Sequence, residues 1–295
     1  MTDLVSESPQ GLTRQPEPLE LLAEWLTALQ RQVDAGELSA TTATTYRIGM
    51  QKLATWAQTN GTTLVPDSIR AWKAELLAAG MKPGSVSTWL SGVRAFYSWA
   101  QESGRLTNNP AQHVKGATRR GTTKRHKRQA LTDSEVLRVL AIPDRLTAGG
   151  KRDAAVLHLM VYTGARTIEL QRADLADLRT ESNRLVLAVH GKGHQESDDV
   201  VVIANPDAES ALRDWLAVRG PEAGPLFTSL SRRTKGDRLS LPSFRQMVKA
   251  TFKSAGVVGE GKTTHSLRHT AATAALRNGA PLQKVQSMLR HANVA

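Results

Sequence analysis

The chain has 295 residues, room for two ordinary domains that each bury a core, and its 39 Lys and Arg against 27 Asp and Glu leave a net charge of +12. That excess favours a polyanionic partner such as nucleic acid, while the lack of any run of about eighteen apolar residues, or of a helix with its basic residues on one face, argues against a membrane protein. With no cysteine, a disulfide framework, a thiolate zinc site and a cysteine nucleophile are all excluded, and a reducing cytoplasm is the expected location.

Residues 1–17 are polar, include acidic residues and lack the apolar core of a secretory signal, so they read as a frayed tail. From Pro18 to about Gly104 the pattern is helical. Leu22, Trp25, Leu26, Leu29 and Val33 form one apolar stripe; after a Ser39 cap, Tyr46, Met50, Leu53 and Trp56 form a second. Asp67 is expected to cap a third helix, carrying Ile69, Trp72 and Leu76 and stopping at Gly80. Val86, Trp89, Leu90, Val93 and Phe96 mark a fourth that stops by Gly104. A four-helix domain over residues 18–114 follows. Five of the six tryptophans lie in it (Trp25, Trp56, Trp72, Trp89 and Trp99); they could stack on bases, but their stripe spacing assigns them to the core.

Asn108, Asn109 and Pro110 end this block, and residues 115–130 read as a basic linker. It holds Lys115, Arg119, Arg120, Lys124, Arg125, Lys127 and Arg128 without apolar periodicity. Such a run is often merely solvated, yet a basic strap between two helical domains suits a duplex passing between them. Its phosphate contacts would set affinity and register rather than sequence choice.

The second domain, residues 131–295, opens with Thr132-Asp133-Ser134-Glu135, a capping-box pattern ahead of Val136, Leu137, Val139 and Leu140. Residues Arg152 to Tyr162 are apolar on most sides, which predicts a central helix running into Thr163-Gly164-Ala165-Arg166. Arg184 to Val189 and Val200 to Ile203 read as a hairpin about a turn at Gly191-Lys192-Gly193-His194. Helices are expected near Asp207 to Val218, Pro242 to Ala255, Thr264 to Arg277 and Pro281 to Arg290. The class is mainly α with a small β-hairpin or sheet.

Gly256-Val257-Val258-Gly259-Glu260-Gly261-Lys262-Thr263 matches the phosphate-loop pattern letter for letter. Its context opposes nucleotide binding: the preceding Phe244 to Ala255 has helical spacing, and no apolar strand ending in Asp supplies a magnesium ligand. A Gly-rich connection between helices is the better reading.

His265-Ser266-Leu267-Arg268-His269-Thr270 carries the most chemistry. Residues three apart on a helix are neighbours, so a helix opening near Thr264 would hold the His265 imidazole and the Arg268 guanidinium beside its positive end, as an anion site requires. The plainer alternative is a cap and a solvated charge. His265 and His269 also have metal-ligand spacing, but Ser266 stands where a metalloprotease needs Glu and no third ligand is evident.

Taken in order, Thr163-Gly164-Ala165-Arg166 with Glu169-Leu170, then Gly191-Lys192-Gly193, then the hexapeptide, then Leu289-Arg290-His291 resemble the tyrosine recombinase or phage integrase family. The resemblance covers nearly the whole chain, with residues 21 to about 115 similar to that family's helical SAM-like core-binding domain and the chain from Leu131 similar to its catalytic domain. It implies that Arg166 and Arg268 clamp the scissile phosphate, a task suited to planar guanidinium donors. It implies further that Lys192 protonates the departing 5′ oxygen, that His265 and His291 hydrogen-bond the phosphate or assist proton movement, and that Glu169 orients neighbouring groups, with His194 and His269 standing behind them. The reaction implied is cleavage of double-stranded DNA by a tyrosine through a covalent 3′-phosphotyrosine, with no metal, ATP or other cofactor, in a homotetramer on two duplexes.

The family spacing places the nucleophilic tyrosine just beyond Ala295. Tyr46 and Tyr97 lie on first-domain helices and Tyr162 has a core setting, so none substitutes for it. The expectation is a chain cut short before its terminal helix, which binds a site without cleaving it and assembles weakly; the alternative is a natural non-catalytic DNA-binding relative, with a type IB topoisomerase ranking below both. With only a short segment ahead of the first helix, a simple two-domain recombinase of resolvase or compact integrase type is implied.

Overall fold

In a computed structural model, which describes residues 20–117, 129–189, 199–259 and 261–290, the chain divides into two compact units between Thr123 and Lys124. The described part of the first contains α1 (Leu22–Asp34), α2 (Ala40–Thr59), α3 (Pro66–Ala78) and α4 (Pro83–Glu102). Ser39 caps α2, its Oγ accepting from the Thr42 N–H at 3.1 Å. The start of α3 differs from expectation. Val65 occupies its cap position and Pro66 follows at N1; Ser68 Oγ accepts from the Val65 N–H at 2.9 Å, which leaves Asp67 in the first turn, paired with Arg70 at 2.5 Å.

Helices α2 and α4 meet backbone to backbone. A Cβ at Gly49 would stand 2.2 Å from Trp89 O and one at Gly92 2.3 Å from Tyr46 O, so the crossing tolerates no side chain at either point. Trp25 and Trp72 are buried, and Trp25 meets Phe96 edge-on at 5.4 Å. Trp56, Trp89 and Trp99 are half-buried against the same core, so all five tryptophans serve packing. The chain stays on this unit past its last helix. Ala111 and Val114 are buried, Lys73 Nζ donates to Lys115 O at 3.1 Å, and the Ala117 N–H donates to Ser87 Oγ at 3.0 Å.

The described part of the second unit contains α5 (Asp133–Ala141), α6 (Ala148–Thr163), α7 (Thr167–Arg172), a 3-10 turn (Leu175–Asp177), β1 (Leu178–Glu181), β2 (Arg184–Val189), β3 (Asp199–Ile203), α8 (Pro206–Arg219), α9 (Leu241–Ser254), α10 (Thr264–Arg277) and α11 (Leu282–Met288). The capping box at α5 is present: Thr132 N–H donates to Glu135 Oε2 at 2.8 Å and Glu135 N–H to Thr132 Oγ1 at 3.3 Å. Every residue from Ala154 to Val161 is buried, as expected of a central helix, and α6 packs against α8, α10 and β3.

The fold is mainly α with a small sheet, as expected, in which β1 adds a third strand to the hairpin of β2 and β3. Its antiparallel order is β1-β2-β3, with Leu178 opposite Leu187 and Leu187 opposite Val201. β1 has little inward-facing apolar surface and α7 is too short to show a helical period, so neither had a signal to read. Helix α11 ends at Met288, two residues before the expected end, because Arg290 takes a left-handed backbone with φ of 49°.

The phosphate-loop match proves to be a connection between α9 and α10. A helix, not a strand, precedes Gly256, and Lys262 Nζ is bound to Glu135 Oε2 at 2.8 Å and Ala130 O at 3.2 Å. Among the described residues no helix is long and apolar enough to cross a membrane.

Candidate active site

Thr163-Gly164-Ala165-Arg166 makes the turn from α6 into α7. Thr163 Oγ1 donates to Leu159 O at 2.5 Å and accepts from the Ala165 N–H at 3.2 Å, which ties off the end of α6. Gly164 has φ of 65°, a left-handed backbone that favours glycine, and a Cβ there would meet Leu289 Cδ2 at 2.8 Å, so the end of that side chain would have to shift. Arg166 then stands at the cap position of α7 with Glu169 at its third residue. Glu169 Oε2 accepts from the Arg166 N–H at 2.6 Å while Oε1 accepts from Arg166 Nη1 at 2.6 Å.

Helix α10 spans Thr264–Arg277 as expected, with Thr263 rather than Thr264 at the cap position, and the Thr263 N–H donates to Ser266 Oγ at 3.0 Å. Along the hexapeptide His265 is exposed, Ser266, Leu267, Arg268 and Thr270 are buried, and His269 is half-buried. Arg268 therefore does not face solvent beside His265 at the helix opening. It turns inward, where Nη1 donates to Gly164 O at 2.6 Å and Nη2 donates to Leu289 O. Thr270 Oγ1 accepts from the Leu131 N–H at 2.8 Å, fastening the entry of this unit to α10.

The two arginines converge on one turn. Arg166 Nη2 donates to Arg290 O at 2.9 Å, one carbonyl beyond the Leu289 oxygen that Arg268 holds. A third guanidinium completes the cluster: Arg290 donates to Glu169 Oε2 through Nη2 at 2.6 Å and to Oε1 through Nε at 3.3 Å, with both side chains only 5% exposed. Sequence reasoning passed over Arg290, although it lay inside a quoted motif, because an arginine at a helix end ordinarily reads as solvated.

Burial raises the Glu169 carboxyl, but the hydrogen bonds and charge of Arg290, together with the bonds from Arg166, outweigh it and hold the group below its ordinary 4.5. Burial first, then the charges of Arg166 and Arg290 against the opposing pull of Glu169, push Arg268 down to about 10. It remains cationic at neutral pH. Arg166 is one-third exposed at its side chain, so it keeps an open flank toward solvent.

Of the other residues singled out from sequence, Lys192, His194, His291, Arg119, Arg120, Lys124, Arg125, Lys127 and Arg128 lie outside the described residues. Lys115 is exposed on the first unit. Tyr97 is fully buried and Tyr46 is half-buried on α2, but Tyr162, expected in the core, is exposed: it stands on the outer side of α6, with its ring 6.0 Å from that of His158. Among the described residues, no three His, Cys, Asp or Glu side chains are grouped to hold a metal ion, so His265 and His269 find no third ligand there.

The model for the phage integrase family matches residues 129–295, and that for the phage integrase N-terminal SAM-like domain matches residues 22–104. This chain belongs to the phage integrase family. Among similar proteins of that family, tyrosine recombinase XerC of Corynebacterium glutamicum is 31% identical over 262 residues, covering 87% of this chain and 79% of the relative. XerC of Haemophilus influenzae is 30% identical over 291 residues, covering 92% and 90%. Two solved structures share the fold. XerH site-specific recombinase bound to palindromic difH substrate, in a post-cleavage complex, aligns with a TM-score of 0.71 at 17% identity, over 92% of this chain and 78% of that one. A lambda integrase (75-356) dimer bound to a COC′ core site aligns with a TM-score of 0.69 at 18% identity, over 92% and 95%. The family's SAM-like domain thus corresponds to helices α1 to α4 and its catalytic domain to the unit that holds the arginine cluster.

Proposed function

We propose that this protein is a site-specific DNA recombinase that breaks and rejoins strands by transesterification. The observation that carries this reading is the convergence of Arg166 and Arg268, from α7 and α10, on consecutive carbonyls of one turn in a phage integrase family chain. Guanidiniums held in that way are positioned to brace the non-bridging oxygens of a scissile phosphate as charge grows on them. A tyrosine hydroxyl passes its proton to His265 or His291 as it attacks phosphorus, the bond to the 5′ oxygen breaks, and a 3′-phosphotyrosine forms while Lys192 delivers the proton that the 5′ oxygen takes up. Attack by a partner strand's 5′ hydroxyl reverses the step, so the phosphodiester energy is conserved and no nucleotide is consumed. His265 and His291 hydrogen-bond the phosphate, the basic residues from Lys115 to Arg128 hold the duplex backbone, and four protomers act on two duplexes.

The nucleophile in this reading is a tyrosine C-terminal to Leu289-Arg290-His291. The test uses the chain carried through that tyrosine and a nicked suicide duplex. A covalent 3′ adduct that disappears in Arg268→Ala supports the reading. A tyrosine-bearing chain that binds the duplex and forms no adduct would leave a DNA-binding relative without strand transfer.

A further inference from the structure

Arg290 is the least expected member of the cluster. It has a left-handed backbone, with φ of 49°, at a position where glycine would be unstrained. Its side chain is nevertheless buried and fully engaged. Nη2 and Nε reach both oxygens of Glu169, at 2.6 and 3.3 Å, and Nη1 donates to Met288 O at 2.9 Å. The carbonyls of Met288, Leu289 and Arg290 are thereby each held by a different guanidinium, those of Arg290, Arg268 and Arg166 in turn. These are the orphan acceptors at the end of α11, the place where cations are favoured.

The carboxylate arithmetic gives the arrangement its meaning. Glu169 is buried and carries one negative charge, and each of its oxygens is shared between Arg166 and Arg290. Without Arg290, Arg166 would be the arginine bonded to both oxygens of that carboxylate and would offer correspondingly less to an incoming anion. With Arg290 present, the cluster of three arginines and one glutamate retains an excess of positive charge beside the open flank of Arg166.

We propose that Arg290 is a positioning residue of the phosphate cage, which takes up the charge of Glu169 so that Arg166 stays available to the phosphate and which clamps the turn on which Arg166 and Arg268 converge. This rests on the reading of the cluster as a phosphate site. Arg290 does not itself touch the substrate; it acts through Glu169 and through the Leu289 and Arg290 carbonyls.

The experiment follows the arginine Nε–H resonances of residues 1–295 by NMR during titration with inorganic phosphate. In the unmodified chain both Arg166 and Arg268 shift with phosphate. In Arg290→Gly, where glycine keeps the left-handed turn, the phosphate affinity read at Arg166 falls about tenfold, the size of one lost charge-assisted hydrogen bond. Arg290→Lys recovers part of it. The double variant Arg290→Gly/Glu169→Gln recovers most of it, since an uncharged Gln no longer claims Arg166; a purely structural role for Arg290 would leave the double variant as weak as the single one. Should Arg290→Gly unfold, the lysine variant and the double variant carry the same test. An Arg290→Gly chain that titrates like the unmodified one, or a double variant with no recovery, overturns the inference while the cage reading stands. An unmodified chain in which neither arginine responds to phosphate overturns the cage reading and this inference with it.

Discussion

Arg268 shows how one side chain can be both a candidate for catalysis and a structural fastener. It is 8% exposed and satisfies the carbonyls of Gly164 and Leu289, groups from two segments far apart in sequence. Arg268→Ala should therefore lower stability by about 1–3 kcal/mol for each carbonyl left buried and unpaired, read from the urea midpoint, besides abolishing cleavage by a tyrosine-bearing chain. Arg268→Lys keeps the charge but not the planar fork. Cleavage in that variant should fall at least about a hundredfold, with much of the stability retained, in assays that score adduct formation and unfolding separately. His265 differs in kind, being exposed on α10, so His265→Ala should leave the unfolding free energy read from urea titration within about 0.5 kcal/mol of the parent.

Elements are placed here by close backbone approach as much as by apolar stripes. Gly164→Ala would put a methyl 2.8 Å from Leu289 Cδ2 and force a β-carbon onto a backbone with φ of 65°. A cost of about 1–3 kcal/mol is expected, together with reduced protection of the α11 amides in hydrogen exchange, because the clash falls on the turn that Arg166 and Arg268 hold. In the first unit the contact is harder still. Gly49→Ala meets Trp89 O at 2.2 Å, backbone against backbone, and the loss of cooperative unfolding of residues 20–117 in a thermal melt is the expected outcome. Much at this scale was legible in sequence. The stripes at α1, α2 and α4, the Ser39 cap and the Thr132 to Glu135 capping box all express preferences set within a turn or two of chain. β1 and α7 were not, since each is short and owes its place to what lies against it.

For the molecule as a whole, charge dictates two behaviours. A net charge of +12 predicts duplex binding whose affinity falls steeply as salt rises, the signature of counterion release from phosphates; binding that ignores salt would remove the basis for a phosphate-led interface. Acid should weaken the second unit in two windows. Burial holds His158 below its ordinary 6.5, so the unfolded chain takes up that proton first and stability falls as pH drops below about 6.5, until the folded imidazole titrates too. Glu135 is held below 4.5 first by its bond to Lys262, and Glu169 is held below it because its arginine partners outweigh burial. Their stabilisation is complete above the ordinary value and is lost as pH falls through their depressed folded values. Urea midpoints against pH should show both steps, and Glu169→Gln should flatten the lower one.

The sequence by itself determined the class, the two-unit layout of a basic chain, most helix boundaries and the short motifs that carry Arg166, Glu169, His265 and Arg268, because periodicity, caps and motif spacing are properties of neighbouring residues. Tertiary structure decided what those residues touch. It turned Arg268 inward onto two carbonyls, drew Lys262 of the phosphate-loop pattern onto Glu135, and set Arg290 on Glu169, since a buried charge is settled by whichever partner the fold brings within reach.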